Sequence, residues 1–164
     1  MHVLLLASQA TLAEELAAAW RSAGAGSVEP AVLPSRPAVA APPGVFVPLS
    51  ALGLTTAAPV VDPAEARLRK LAAVADVVVV HLDVLDGPGL HEGPLPLVAR
   101  VAGERALPVV VLAGRSEASR REWSAGGVSG VHEVGADAAA RAAAVARAAR
   151  TWDPQWSPQG HHAP

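Results

Sequence analysis

Continuous runs of aliphatic residues alternate with segments of helical apolar spacing along most of this chain. The most uniformly apolar runs are residues 2–7, 77–82 and 108–112. Because none of these runs alternates polar with apolar positions, each is predicted to be a strand covered on both faces, as in a parallel sheet. The helical segments between them supply the crossovers that parallel strands require.

Capping signals indicate where several helices begin. Thr11 with Glu14, and Asp62-Pro63 with Glu65, have the spacing of a capping box. Further helices are expected at 96–106, 117–125 and 137–151. Two more strands are predicted at 28–33 and 131–134, and a short one at 45–49. Pro30 cannot donate a ladder hydrogen bond, so the strand containing it is expected at or near a sheet edge.

The alternation of strands and helices predicts a single three-layer α/β domain with a mostly parallel sheet, Rossmann-like or flavodoxin-like. At 164 residues and 51% hydrophobic content, the chain can bury one sizeable core. The domain is expected to span residues 1–152. A proline-rich segment, 34–61, should wrap its outside, and 153–164 should be a disordered tail that folding does not need, with Trp156 as the one residue able to dock.

Composition excludes several classes of function. There are no cysteines, which rules out disulfides, thiolate metal sites and cysteine nucleophiles, and the net charge is only −2. Neither a nucleic-acid nor an anionic-membrane partner is indicated by this balance. The apolar start runs directly into Glu14 and Glu15 without a cationic lead, and prolines interrupt the uncharged stretch 37–61. A cytoplasmic protein is therefore expected.

Acidic residues follow the second of the three apolar runs. Asp83 and Asp86 are the candidate catalytic residues, since ligand sites in open parallel sheets lie outside the carboxyl ends of the strands. With His81, His91 and Glu92 nearby, they could supply ligands for Mg²⁺. Turn chemistry in a solvated loop explains the same residues. No ligand spacing here is diagnostic, so no metal site is predicted.

The third apolar run ends in a glycine turn. Gly114, Arg115 and Ser116 precede a helix expected to begin near Ser116 and Glu117, so free N–H groups there could bind an anion, with Arg115 as a bidentate phosphate partner. An ordinary strand-to-helix turn with an exposed arginine is the alternative. The chain has neither a P-loop nor a G-x-G-x-x-G fingerprint.

Several segments in chain order carry a family resemblance. They are the opening 1–24, Leu85-Asp86, 97–100, the P-V-V-x-L-A-G-R run 108–115, and Gly127-Val128. This pattern resembles bacterial type-1 glycerate kinases. The resemblance implies a position for Asp86 near the active cleft, and ATP with Mg²⁺ as cofactors if kinase activity is retained; otherwise the cofactors are unknown.

The departures from that family shape the functional prediction. Ala7, Ser8 and Gln9 stand where the kinases have a loop with Asp and Lys, and the chain is too short for their inserted second domain. A degenerate glycerate-kinase-like protein is therefore predicted, which binds a small anion, a nucleotide or a protein partner, or forms a homodimer, without turnover. The alternatives are an active ATP-dependent phosphotransferase acting on glycerate or a related hydroxy acid, and a receiver-like signalling domain. The receiver-like alternative shares the strand–helix pattern but lacks paired acids after the first strand.

Overall fold

The computed structural model describes residues 1–24, 26–34 and 62–152. These residues form a single α/β domain. Its strands are β1 His2–Ala7, β2 Ser27–Val32, β3 Val77–Leu85, β4 Val109–Ser116 and β5 Gly130–Glu133; its helices are α1 Ala10–Ser22, α2 Pro63–Ala72, α3 Gly87–His91, α4 Leu95–Gly103, α5 Arg120–Ala125 and α6 Ala138–Trp152. Most of the proline-rich segment, the strand expected at 45–49 and the tail with Trp156 lie outside the described residues.

The five strands pair in the order β2-β1-β3-β4-β5, and every pairing is parallel. This confirms the predicted fold class, and the order is the flavodoxin-like one. The three most apolar runs form the inner strands β1, β3 and β4. The strand that contains Pro30 lies at one edge, as its missing N–H predicts, and β5 lies at the other edge.

Strand geometry explains why the inner runs are apolar without alternation. Successive strand side chains point to opposite faces, so Val77 and Val79 pack towards α1 and α6, whereas Val78 and Val80 pack towards α2 and α4. Both faces are covered by helices, and both sets of side chains are buried. The first core layer includes Leu5, Leu16, Trp20, Leu112 and Val145; the second includes Leu4, Leu68, Val98, Val101 and Val111.

The predicted helix starts have mixed outcomes. Asp62 caps α2 as expected, accepting the N–H of Ala64 at 2.9 Å. The box at Thr11 is wrong, because α1 already begins at Ala10, behind Gln9, which makes no side-chain cap. The turn after β1 is so short that Thr11 falls inside the first helical turn.

An ion network joins α2 and α4. Glu65, expected to close a capping box, instead contacts Arg69 at 2.6 Å and Arg100 at 2.9 Å. Both arginines also reach Glu104, and the bond to Arg69 is the main reason that the pKa of Glu104 is lowered. The network fixes two helices on the same face of the sheet. Among the residues described, no helix is long and apolar enough to cross a membrane.

Candidate functional site at the carboxyl ends of the strands

A cavity of about 350 Å³ lies beside the ends of β1 and β3. The chain leaves β1 towards β2 at one edge and returns to β3 on the other side, so this is the point where an open α/β sheet leaves a crevice for ligands. Its polar lining includes Ser8, His81 and Asp83, and its apolar lining includes Leu33 and Pro94. It is the position that the topology favours for a small molecule.

His81 is the most unusual residue at this edge, since it is a polar residue with only 3% of its surface exposed. Burial lowers the pKa of His81; the nearby carboxylate of Asp83 opposes this shift, and the guanidinium of Arg141 adds to it. The imidazole is therefore neutral near pH 7. A neutral imidazole can donate or accept a hydrogen bond, but it supplies no charge for binding an anion.

The two candidate catalytic carboxylates differ in their surroundings. The side chain of Asp83 is exposed at the end of β3, beside the cavity. Asp86 is the N-cap of α3, and one of its carboxylate oxygens accepts the N–H of Gly89 at 2.7 Å. This bond gives Asp86 a structural role in starting a short helix. A catalytic role for either residue stays a prediction.

The candidate anion site is part of a strand rather than of a helix start. Gly114, Arg115 and Ser116 are the last residues of β4, and α5 begins only at Arg120. The helix expected from Ser116 or Glu117 is thus delayed, because Ser119 and Glu122 form a complete capping box of their own. The helix N-terminus invoked for anion binding does not lie at these residues.

Contacts within the fold occupy this glycine turn. The N–H of Ser116 donates to Oε1 of Glu133 at 2.8 Å, and the exposed guanidinium of Arg115 pairs with Glu117 at 2.7 Å. A Cβ added to Gly114 would lie 2.6 Å from the carbonyl oxygen of Asp83. Glycine is therefore required here for the close approach of β4 to β3. Anion binding at these residues stays a prediction.

Metal-ligating side chains are dispersed over the described ranges. Residues 1–24, 26–34 and 62–152 contain no group of three or more His, Asp or Glu side chains that could hold a metal ion. His91 lies on α3 and lines a different depression from His81 and Asp83. The loop acids and histidines that are close in sequence therefore do not form one ligand set.

A second feature, at the β5 edge, has little signal in the amino-acid sequence. The indole N–H of Trp152 donates to Nε2 of His132 at 3.1 Å, and the same indole covers Gly130, where a Cβ would approach it to 2.7 Å. The amino-acid pattern does not connect Trp152 with either partner. The available signal was a glycine placed two residues before a histidine in a predicted strand.

Comparisons with known proteins find similarity only to solved structures. No protein-family model matches the chain, and no curated protein matches it significantly. A pilus assembly-related protein of Burkholderia pseudomallei is 18% identical, with a TM-score of 0.47, covering 91% of this chain and 89% of that one. A pilus assembly protein of Burkholderia thailandensis is 17% identical, with a TM-score of 0.45, covering 91% and 98%. Similarity this weak transfers no function.

The prediction of a glycerate-kinase-like protein is wrong, in both its degenerate and its active form. The solved structures that resemble this chain are pilus assembly proteins, and no kinase family model matches. The segments that resemble the glycerate kinases have a general physical origin. Runs such as 108–115 are what any buried parallel strand followed by a tight turn contains, so they do not distinguish one α/β family from another.

Proposed function

We propose that this chain is a receiver-like signalling domain that acts in the cytoplasm by binding a protein partner, without phosphoryl transfer of its own. Support comes from the flavodoxin-like strand order, which receiver domains such as CheY share. This strand order is the observation that carries the proposal, and the end of β1 is the reason for proposing a domain without phosphoryl transfer. The chain there reads Ala7-Ser8-Gln9, so no acid is placed beside Asp83 at the crossover between β1 and β3.

Phosphoryl transfer to a carboxylate needs metal ions and cations that neutralise the charge developing on the phosphoryl group. A single Asp83 beside a neutral His81 supplies neither. Asp86 is committed to the start of α3 and Glu133 to the N–H of Ser116. Arg115, a cation at the end of β4, is exposed and paired with Glu117, and Arg141, whose guanidinium acts on His81, is paired with Glu15. Among the described residues, this edge therefore lacks the free acids and cations that phosphoryl transfer in a receiver domain requires.

The test of this proposal is whether the domain binds its partner without Asp83 and Asp86. The full chain, immobilised, would be compared with an Asp83→Asn/Asp86→Asn variant in capturing proteins from extracts, with and without acetyl phosphate and Mg²⁺. We expect the same partner from both forms, unaffected by acetyl phosphate. The matched control is Glu14→Gln, an exposed acid on α1. Capture that requires both Asp83 and acetyl phosphate would contradict the proposal.

A second candidate function is the binding of a small molecule in the crossover cavity. The 350 Å³ volume and the position at the switch point favour it. With the carboxylate of Asp83 and a neutral His81 in its lining, a neutral or cationic polar ligand fits better than an anion. A thermal-shift screen would detect it: stabilisation by such a ligand should be lost in Asp83→Asn. The small anion or nucleotide expected from the sequence stays a prediction.

A further inference from the structure

The outer side of β5 pairs with no strand of the described chain, since β5 is the last strand in the sheet. An open depression of about 370 Å³ extends along this edge. Its walls come from α5 on one face of the sheet and from α6 on the other. Trp123 packs on the α5 side with Val131, and Trp152 packs on the α6 side with His132. Both indoles are partly exposed.

The edge is preorganised. The indole of Trp152 is held by its hydrogen bond to His132 and by its contact with Gly130. Burial lowers the pKa of His132, which keeps its Nε2 free to accept that bond near neutral pH. A rigid aromatic group loses little entropy when a partner binds. The Trp152 indole therefore forms a fixed, partly exposed surface on one side of the edge strand, and the partly exposed Trp123 indole lies on the other side.

Positive charge flanks this edge. Arg120 lines the depression, and Arg147 lies one turn before Thr151, which also lines it. Neither arginine has an ion pair with any residue that the structure describes. The neighbouring acids Glu122 and Glu133 do not line the depression, and their carboxylates accept the backbone N–H groups of Ser119 and Ser116. The whole chain has a net charge of −2, but Arg120 is the charged side chain among the described residues that line this depression.

We propose that the β5 edge binds an extended acidic segment of a partner protein, which adds to the sheet as a sixth strand. The proposal rests on the proposed function and identifies the surface through which the domain would bind its partner. Side chains of an added strand alternate between the two faces. One apolar side chain would therefore contact Trp123 and the next would contact Trp152, while carboxylates at the ends of the segment would reach Arg120 and Arg147.

The probe is a fluorescein-labelled synthetic peptide with a Val-Phe-Ile-Val centre and two glutamates at each end, titrated with the full chain at low salt. The control peptide replaces the glutamates by lysines. We expect the acidic peptide to bind and the basic one to bind at least about tenfold more weakly, since complementary charge selects partners. Amide hydrogen exchange should slow in Gly130–Glu133 when the acidic peptide is present.

Charge reversal separates this surface from general electrostatic attraction. Arg120→Glu/Arg147→Glu should weaken the acidic peptide about tenfold or more, and the matched Arg67→Glu/Lys70→Glu variant on α2 should change it less than about twofold. All four side chains are exposed, so folding should be unaffected. A Trp123→Ala variant, with folding verified by circular dichroism, should also weaken binding.

Several results would overturn the proposal. These are equal loss in both charge-reversal variants, no added protection in β5, or equally tight binding of a single-stranded oligonucleotide, which would indicate a nucleic-acid surface. A dimer of the chain that is lost in Arg120→Glu/Arg147→Glu would show that a second copy occupies the edge. Protection on another face would refute this surface and leave the proposed function standing, whereas phosphoryl incorporation at Asp83 would refute the proposed function alone.

Discussion

Replacing Gly114 by alanine tests whether this glycine is required for packing or for a ligand. A Cβ at this position would lie 2.6 Å from the backbone oxygen of Asp83, so β3 and β4 would have to move apart by several tenths of an ångström. Gly114 is part of β4 and faces β3. Both are inner strands, so neither backbone can move without disturbing the hydrogen bonds between them. Overpacking of this kind costs about 1–3 kcal/mol.

The assay is thermal unfolding of Gly114→Ala, followed by circular dichroism. At about 2–4 °C per kcal/mol for a domain of this size, Tm should fall by roughly 2–12 °C. Gly103→Ala is the matched control, because its Cβ would meet nothing within 4 Å at the end of α4. That variant should be neutral or slightly more stable. An unchanged Tm in Gly114→Ala, together with loss of phosphate binding, would refute the steric explanation and favour an anion site.

Three further predictions concern the cap, the buried histidine and the β5 edge. Asp86→Ala should lower the free energy of unfolding by about 1 kcal/mol in urea titrations, and Asp86→Asn by less, because asparagine still caps. Burial lowers the pKa of His81 below 6.5, so as the pH drops the unfolded state takes up a proton before the folded state does, and the free energy of unfolding should fall below about pH 6.5. His81→Leu should make this pH dependence weaker, and the part that remains should come from His132, whose pKa is also lowered by burial. Gly130→Ala should displace the Trp152 indole and change its fluorescence, whereas an unchanged spectrum would refute that contact.

The fold was predictable because burial dictates it. A run of four valines, 77–80, is typical of a strand that helices cover on both faces, and Pro30 marked an edge by its missing donor. Asp62 and Pro63 marked the start of α2 through local hydrogen bonding, which needs no tertiary information. Thr11 and Glu65 are not capping residues because contacts beyond the local sequence determine their positions. For Thr11 this is the short turn after β1, and for Glu65 it is the ion network with α4.

The candidate site was less predictable because it depends on contacts between segments distant in sequence. The sequence does not indicate the bond of Asp86 to Gly89 or the contact of Gly114 with Asp83, which give both residues structural roles, while their catalytic and anion-binding roles stay predictions. The Trp152–His132 bond joins a helix end to an edge strand. The positions of Trp152 and His132 in the sequence do not indicate that the two side chains meet. A family resemblance based on buried strands likewise identified the fold and not the function.

The measurement that most directly tests a receiver-like domain without phosphoryl chemistry is the intact mass of the full chain after incubation with acetyl phosphate and Mg²⁺. Since Ala7-Ser8-Gln9 after β1 contains no acid, and Arg115 at the end of β4 is paired with Glu117, we predict that incubation leaves the mass of the wild type unchanged, and that of Asp83→Asn as well. An increase of about 80 Da, the mass of one phosphoryl group, that is present in the wild type and absent from Asp83→Asn would contradict the central claim.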